Sequence, residues 1–220
     1  MRKTVFAFHT NFALVEPLGR LFAELLPGVR IVNLVDDSLL ADVRAAGCLT
    51  PSVIRRMIGY GVLAQTAGAH AIFNCCSSVG EAADLLSRAI DIPVVKIDDR
   101  MAETAVCRGP RVGVVATLAT TLDPTVRLIE RKAEQAGKKV AVRRYLVEGA
   151  FDALISGDGD QHDQMVMAGI QRAALENDVV VLAQGSMARL VSRLESELSA
   201  QVLSSPRLGV EALKQLLAQG

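Results

Sequence analysis

The chain has 220 residues, half of them hydrophobic, and its 24 basic and 24 acidic side chains leave no net charge. The apolar content excludes an intrinsically disordered protein, and the lack of a basic excess argues against a nucleic-acid-binding protein. This length suits one large domain or two small ones, since domains usually span roughly 100–200 residues. No segment reaches the ~20 apolar residues of a membrane span, and the first residues do not resemble a signal peptide. We therefore expect a cytoplasmic protein.

Short runs of apolar and β-branched residues alternate along the chain with amphipathic segments. The runs predict strands that are covered on both faces: Thr4–Phe8, Arg30–Leu34, Ala71–Asn74, Val94–Ile97, Arg111–Ala116, Lys139–Tyr145 and Val179–Ala183. The amphipathic segments predict helices: Val15–Leu26, Pro51–Ala67, Val79–Ile90, Thr121–Ala136, Asp160–Glu176 and Met187–Glu197. Proline is expected in the first helical turn at Pro17, Pro51, Pro124 and Pro206. This alternation predicts an α/β fold with parallel sheets.

The sequence contains an internal repeat. The segment beginning at Thr4 aligns with the one beginning at Arg111 at an offset of 107, and residues 71–86 align with 179–194 at an offset of 108. Two pairs of strand–turn–helix units at nearly one offset predict two similar α/β domains. We assign residues 1–98 plus 205–220 to the first domain and residues 99–204 to the second. In this assignment the last helix, after Pro206, returns to the first half of the chain.

Small polar side chains follow four of the predicted strands, where the chain turns into a helix. Ligands of parallel sheets bind beyond the carboxyl ends of the strands, and helix N-termini at that edge bind anions. Such ends facing one cleft would suit a small carboxylate. The residues are His9, Thr10 and Asn11; Cys76, Ser77 and Ser78; Thr117, Thr120 and Thr121; and Gln184, Gly185 and Ser186. The chain has no P-loop and no glycine-rich dinucleotide motif after a strand, so no nucleotide cofactor is expected.

Cys76 is the strongest candidate for a reactive side chain. A thiol at a helix N-terminus is expected to have a lowered pKa, because the positive end of the helix stabilises the thiolate. We expect Cys75 to belong to the buried end of the strand and to pack as a small apolar residue. Cys48 and Cys107 are expected to be unreactive. The four cysteines and three histidines do not have metal-binding spacing, so no metal site is expected.

These motifs resemble the aspartate/glutamate/hydantoin racemase superfamily, which includes arylmalonate decarboxylase and maleate isomerase. The family's Cys-Ser-Ser after a strand of the first half matches residues 76–78, and its opening of the second half matches Gly-Val-Val-Ala-Thr-Leu-Ala-Thr at 113–120. The resemblance covers nearly the whole chain. It implies two similar α/β/α domains with parallel-rich sheets, related by a pseudo-twofold axis, with the active site between them and no cofactor.

The resemblance also implies a reaction. In the family one cysteine removes the proton from the carbon next to a carboxylate, and a second cysteine returns a proton on the opposite face. In this chain Cys76 corresponds to the first of these bases. The implied carboxylate donors are Ser77, Ser78, Thr117, Thr120 and Thr121, and His9, Thr10 and Asn11 are implied to line the cleft.

The chain departs from the family pattern at Gln184, where the second cysteine is expected. An amide does not exchange a proton at useful rates, so we do not expect a symmetrical two-thiol racemase. Chemistry with one cysteine stays open: proton transfer on one face, decarboxylation of a malonate-like diacid, or cis–trans isomerisation through a covalent cysteine adduct. Ser186 and His162 are alternatives for a second base, although the surrounding Gly157-Asp158-Gly159-Asp160 segment favours an exposed loop position for His162.

A domain that binds a small carboxylate or dicarboxylate without catalysis is the other interpretation of these strand ends. It needs the hydroxyl donors but not a thiolate, so the reactivity of Cys76 separates it from an enzyme. In either case the expected partner is a small molecule rather than a nucleic acid or a membrane. The sequence leaves a homo-oligomer open.

Overall fold

The computed structural model describes residues 2–194, 198 and 202–219. The chain divides into two compact units, one formed by the residues up to Ile97 together with those from Pro206 onward, and the other by Asp98–Ser205. Each unit contains one four-stranded sheet in which all described neighbours are parallel. The predicted α/β class with parallel sheets is confirmed.

The sheet of the first unit has the strand order β2-β1-β3-β4. The elements of this unit up to Lys96 follow one another in the chain as β1 (Thr4–His9), α1 (Val15–Leu25), β2 (Arg30–Val35), α2 (Ser38–Ala46), α3 (Pro51–Thr66), β3 (Ala71–Asn74), a 3₁₀ turn (Ser77–Val79), α4 (Gly80–Leu86) and β4 (Val94–Lys96).

The sheet of the second unit has the strand order β6-β5-β7-β8. The remaining elements are α5 (Asp99–Arg108), β5 (Arg111–Ala116), α6 (Ala119–Gln135), β6 (Ala141–Leu146), α7 (Ala150–Ile155), α8 (Gly159–Glu176), β7 (Val179–Leu182), a 3₁₀ helix (Gly185–Arg193), β8 (Val202–Ser204) and α9 (Ser205–Gln219). Helix α9 packs in the core of the first unit through Val210, Leu213 and Leu217.

The two sheets share their register as well as their strand order. Val5 pairs with Ala71 in the first sheet, and Val112 pairs with Val179 in the second. The smaller offset of the sequence repeat carries Val5 onto Val112, and the larger one carries Ala71 onto Val179. The larger offset also carries β4 onto β8. The two offsets of the sequence repeat therefore relate three pairs of equivalent strands, whereas β2 and β6 are related by an offset of 111.

Several short elements were not predicted, and two predicted helices differ from the structure. Helices α2, α5 and α7 and strand β8 are too short to show a clear period. The segment predicted as a helix to Ile90 ends at Leu86. The segment predicted as a helix from Met187 is the 3₁₀ helix, and residues 195–197 of that prediction lie outside the described residues.

Side chains of each sheet alternate between two covered faces, and this alternation positions the candidate site. In the first sheet Phe8 and Ile72 pack under α2, α3 and α4, whereas Ala7 and Phe73 pack against α1 and α9. In the second sheet Val115, Val180 and Leu182 pack under α8 and the 3₁₀ helix. Within the described part of the chain, no helix is long and apolar enough to cross a membrane.

Candidate active site

The two adjacent cysteines of the first unit lie on opposite faces of the sheet. Strand β3 ends at Asn74, and the chain continues through Cys75 and Cys76 into the 3₁₀ turn. Cys75 is buried in the core with Phe73, as predicted, whereas Cys76 is partly exposed and packs on the face covered by α3. The side-chain amide of Asn74 donates to the Cys76 carbonyl at 2.9 Å. This bond fixes the turn that presents Cys76.

Hydrogen-bond donors surround the Cys76 thiol. Burial raises the pKa of the Cys76 thiol, while the hydroxyls of Thr10 and Ser78 and the N–H groups of Ser78 and Val79 lower it. Burial prevails, so the pKa of Cys76 lies above its ordinary value, and the expectation of a lowered pKa is wrong. The helix that was expected to stabilise the thiolate begins as a turn of only three residues, and its few donors do not compensate for the loss of water.

Thr10 is placed at the thiol by the end of β1. Its side chain is buried, and its hydroxyl has no partner other than the Cys76 thiol among the residues that the structure describes. The next residue, Asn11, accepts a hydrogen bond from the Ala13 N–H at 2.9 Å through its side chain. This turn leaves Phe12, which the sequence analysis did not single out, 68% exposed.

His9 is brought to Cys75 rather than to Cys76. It is buried at the end of β1, with Nε2 3.0 Å from Asn33 Oδ1 and 3.8 Å from Cys75 Sγ. Burial lowers the pKa of His9, and the hydrogen bond with Asn33 opposes this effect. Because His9 shares the face of Ala7 and Cys75, its side chain is separated from the Cys76 thiol by the sheet.

A polar cluster at the same sheet edge was missed by the sequence analysis. Asp36 follows β2 and accepts hydrogen bonds from the Ser38 N–H at 3.0 Å, from Tyr60 Oη at 2.7 Å and from Arg56 Nη1 at 3.4 Å. Burial raises the pKa of Asp36, but these bonds and the charge of Arg56 outweigh it, so the pKa lies below its usual range. An aspartate two residues after the predicted strand Arg30–Leu34 was the available signal.

In the second unit, Gln184 and Thr117 form a hydrogen-bonded pair. Gln184 Oε1 accepts from the Thr117 N–H at 2.7 Å, and Gln184 Nε2 donates to Thr117 Oγ1 at 2.8 Å. In the sequence repeat these residues correspond to Cys76 and Thr10. In each unit the structure thus pairs the threonine after the unit's first strand with the residue after its third strand. These pairs are Thr10 with Cys76 and Thr117 with Gln184. In the second unit that residue is an amide.

The other candidates of the second unit lie at helix starts. Helix α6 begins at Ala119, so Pro124 is inside it rather than in its first turn. Proline lacks the N–H that would bond the carbonyl of Thr120, and the buried Thr120 hydroxyl also has no partner among the described residues. Thr121 is buried and its carbonyl accepts from Thr125 Oγ1 at 2.9 Å. Gly185 and Ser186 open the 3₁₀ helix.

His162 is not an exposed loop residue. It is 2% exposed and lies in the first turn of α8. Its Nδ1 is 2.9 Å from Asp163 Oδ1, and the Asp163 carboxylate also binds Arg189 and, at 2.6 Å, Arg193. The hydrogen bond from Arg189, with that from His162, lowers the pKa of Asp163 to about 2 despite burial. Asp163 therefore carries a negative charge over the whole physiological pH range.

No group of three or more His, Cys, Asp or Glu side chains that could hold a metal ion occurs within the described ranges. Both units instead place hydroxyl groups and helix starts at the carboxyl ends of parallel strands, with a thiol in the first unit. This arrangement suits the binding of a small anion and general acid–base chemistry.

Comparison with known proteins gives the family. The sequence model of the Asp/Glu/hydantoin racemase family matches residues 14–213, and the chain belongs to this family. A search of curated protein sequences finds no match.

Solved structures of similar fold include several racemases. Glutamate racemase RacE1 from Bacillus anthracis has a TM-score of 0.73 at 15% identity, over 99% of this chain and 82% of its own. Allantoin racemase from Klebsiella pneumoniae has a TM-score of 0.68 at 19% identity, over 99% and 89%. Aspartate racemase from Picrophilus torridus has a TM-score of 0.72 at 13% identity, over 98% and 94%. At these identities the likeness is one of fold.

Proposed function

We propose that this protein is an enzyme that transfers a proton at the carbon next to the carboxylate of a small substrate, with Cys76 as the base and without a cofactor. The observation that carries the proposal is the Cys76 thiol among hydroxyl and N–H donors from Thr10, Ser78 and Val79. The family match supports an isomerase of the racemase type.

The proposed step follows from this arrangement. The Cys76 thiolate takes the proton from the α-carbon, and the electron pair of the C–H bond moves into the carboxylate to give an enediolate. Hydroxyl and N–H donors around the sulfur stabilise that negative charge. Proton return from the thiol to the same carbon restores the carboxylate. We propose that Ser77 and Ser78 hold the substrate carboxylate during both steps.

Strand ends of both units carry polar residues that we assign to substrate binding. We propose that a small carboxylate binds Thr10 and Asn11 in the first unit, and Thr117, Thr120, Thr121, Gln184, Gly185 and Ser186 in the second. The buried hydroxyl of Thr120 has no partner among the described residues, which supports this assignment, since such a hydroxyl costs about 1–3 kcal/mol. The side chain of His9 is assigned an indirect role, because it contacts Cys75 and Asn33.

The test is exchange of the α-proton with solvent. The protein is incubated in deuterated water with each enantiomer of aspartate and of glutamate, with substituted malonates, with maleate and with allantoin. Nuclear magnetic resonance then reports deuterium incorporation, decarboxylation or isomerisation. Incorporation next to a carboxylate supports the proposal, loss of CO₂ or conversion of maleate identifies the alternative reactions of the same cysteine, and reaction of allantoin alone contradicts the carboxylate assignment.

Cysteine variants make the test specific. Cys76→Ala should lower the exchange rate about 10²–10⁴-fold, the usual contribution of a general base. Cys75→Ala should retain most activity, and the exposed Cys48→Ala serves as the matched control. Binding of a carboxylate without any turnover, and with Cys76 unreactive, would instead identify a binding domain.

A further inference from the structure

The end of β2 places Asp36 beside Thr10. Phe8 of β1 pairs with Leu34 of β2, and the two segments stay paired beyond the strands, because the Asp36 N–H donates to the last carbonyl of β1 at 3.0 Å. Thr10 and Asp36 each lie two residues beyond a member of that pair, and side chains two residues apart share a face of a sheet. Asp36 is therefore on the same face as Thr10, whose hydroxyl contacts the Cys76 thiol.

Helix α3 covers this face of the sheet. The ring of Tyr60 in α3 packs edge-on against Phe8, with 6.4 Å between the ring centroids and 87° between the ring planes. Tyr60 and Ile58 of α3 pack against the same core cluster as Cys76. The position of α3 therefore affects how far water reaches the Cys76 thiol.

Asp36 binds two side chains of α3 through one carboxylate oxygen. Its Oδ2 accepts from Tyr60 Oη at 2.7 Å and from Arg56 Nη1 at 3.4 Å. Tyr60 and Arg56 are four residues apart and so project from the same side of the helix. Oδ1 accepts from the Ser38 N–H at 3.0 Å, and Arg56 also binds Ser38 Oγ at 2.6 Å and the Asp42 carboxylate. Asp36 thus joins the end of β2 and the start of α2 to the middle of α3.

The two ends of α3 are anchored separately. The Asp36 side chain is 15% exposed, and hydrogen bonds to an ionised carboxylate are about twice as strong as neutral ones. At the other end of the helix, Gln65 Nε2 donates to Asp91 Oδ2 at 3.1 Å, and Gln65 Oε1 accepts from the Asp91 N–H at 2.7 Å. The Asp36 anchor lies at the sheet edge that carries Cys76, whereas the Gln65 anchor lies at the opposite edge, before β3 and β4 begin.

Burial, rather than a neighbouring charge, has the largest influence on the Cys76 thiol. Charged side chains of the elements packed on this face form ion pairs: Asp36 and Asp42 with Arg56, and Asp84 of α4 with Lys96 of β4. The adjacent Cys75 lies on the opposite face. Burial raises the pKa of Cys76, and the other influences on this pKa are hydrogen bonds. An element that covers the thiol therefore matters more to it than these ion pairs do.

We propose that Asp36 is a positioning residue of the Cys76 site, which holds Tyr60, and with it α3, over the face of the sheet that carries the thiol. Asp36 does not touch the substrate in this role. It limits the access of water to Cys76 through the position of α3. The inference rests on the proposed function of Cys76, and a small displacement of a positioning element is enough to slow a reaction strongly.

The first measurement is the pH dependence of Cys76 alkylation by iodoacetamide, read by mass spectrometry, because it requires no turnover. Asp36→Ala and Tyr60→Phe both release α3, so water should reach the thiol and the midpoint should fall by about 0.5–1 pH unit in each. Asp36→Asn keeps an oxygen for the Tyr60 hydroxyl and should shift the midpoint less. Gln65→Ala, which loosens the other end of α3, is the matched control and should keep the wild-type midpoint.

The second measurement is the steady-state rate of α-proton exchange with the best substrate of the wild type. Asp36→Ala should lower kcat about 10–100-fold and leave KM within about threefold of the wild type, because Asp36 does not bind the substrate. Asp36→Asn should recover part of this loss. A higher KM at an unchanged kcat would place Asp36 against the substrate and overturn the positioning role.

The outcomes separate this inference from the proposed function. Lower midpoints in Asp36→Ala and Tyr60→Phe, with the wild-type midpoint in Gln65→Ala, support the inference. An unchanged midpoint in Tyr60→Phe overturns it, and equal shifts in Asp36→Asn and Asp36→Ala would then show that the charge of Asp36 acts on the thiol directly. If Asp36→Ala does not fold, Tyr60→Phe, which keeps the ring, decides alone. Lower midpoints beside a wild type that exchanges no tested substrate support the hold of Asp36 on Tyr60 and overturn the proposed function of Cys76.

Discussion

Gln184 Oε1 accepts a hydrogen bond from the Thr117 backbone N–H at 2.7 Å, so the protein's own amide occupies a donor at the carboxyl end of β5. In the first unit the equivalent pair is Cys76 and Thr10, and the donors there surround a thiol. The two units therefore share the position of this pair at their strand ends but differ in its chemistry, with a thiol in the first unit and an amide in the second.

Removal of this amide should open an anion site. In Gln184→Ala the Thr117 N–H and hydroxyl lose their partner, and an unsatisfied buried donor costs about 1–3 kcal/mol. The melting temperature should fall, and acetate should restore part of the loss by binding the vacated donors. Gln161→Ala, an exposed glutamine in the first turn of α8, is the control. An acetate response equal to that of the wild type would contradict this assignment of the Thr117 donors.

Asp163 should make the stability of the protein depend on acid pH. Its pKa is lowered to about 2 in the folded state from an ordinary value of 3.8, so its stabilisation is fully present above about pH 4 and is lost as the pH falls through about 2. A shift of this size corresponds to about 2 kcal/mol. Urea unfolding of Asp163→Asn should show a smaller loss of stability between pH 5 and pH 2 than the wild type.

Asp160→Asn is the control for this measurement, because Asp160 lies exposed in the same helical turn. Its pH dependence should follow that of the wild type. If Asp163→Asn also kept the wild-type slope, the ion pairs with Arg189 and Arg193 would contribute nothing to folding.

Gly209 should resist substitution because α9 approaches the end of β4 closely. A Cβ at this position would lie 2.6 Å from the Ile97 carbonyl oxygen and 2.9 Å from its Cα, and backbone atoms cannot move aside easily. Overpacking of this kind costs about 1–3 kcal/mol, which exceeds the gain of roughly 1 kcal/mol from replacing a helical glycine by alanine. Gly209→Ala should therefore be less stable than the wild type in urea unfolding.

Gly19 in α1 gives the matched comparison, since a Cβ there would meet no atom within 4 Å. Gly19→Ala should gain the helix propensity without the clash and unfold at a higher urea concentration. Equal effects of the two substitutions would show that α9 is free to shift away from Ile97.

The sequence predicted what depends on local pattern and on the repeat. Continuous apolar runs identified the longer strands, and the two offsets of the repeat anticipated the shared register of the sheets. The placement of Cys75 in the core followed from alternation beyond Asn74. The pKa of Cys76 was predicted in the wrong direction, because the burial of a thiol depends on the helices that cover it and not on its neighbours in sequence.

The position of His162 was also missed for a non-local reason. The glycine and aspartate residues before it suggested a loop. In the structure the loop ends at Asp158, whose side chain accepts a hydrogen bond from the Gln161 N–H at 2.9 Å and caps α8. The next turn therefore belongs to the helix, and the 3₁₀ helix reaches it through Arg189 and Arg193. Contacts between segments so distant in the chain cannot be read from local composition.

Cys76 should react with alkylating agents only as the pH rises above the ordinary range of a thiol. The thiolate is the reactive form, and burial raises the pKa of Cys76. Thr10→Val removes one of the donors that lower this pKa, so the apparent pKa should rise further and the rate of alkylation at pH 8 should fall. Thr10→Ser retains a hydroxyl and should leave the profile close to that of the wild type. Mass spectrometry after iodoacetamide treatment at pH 6 to 10 measures each cysteine separately, and the exposed Cys48 provides the internal reference. A midpoint of alkylation for Cys76 below that of Cys48 would show that burial does not control this thiol. An unchanged midpoint in Thr10→Val would show that Thr10 does not donate to it.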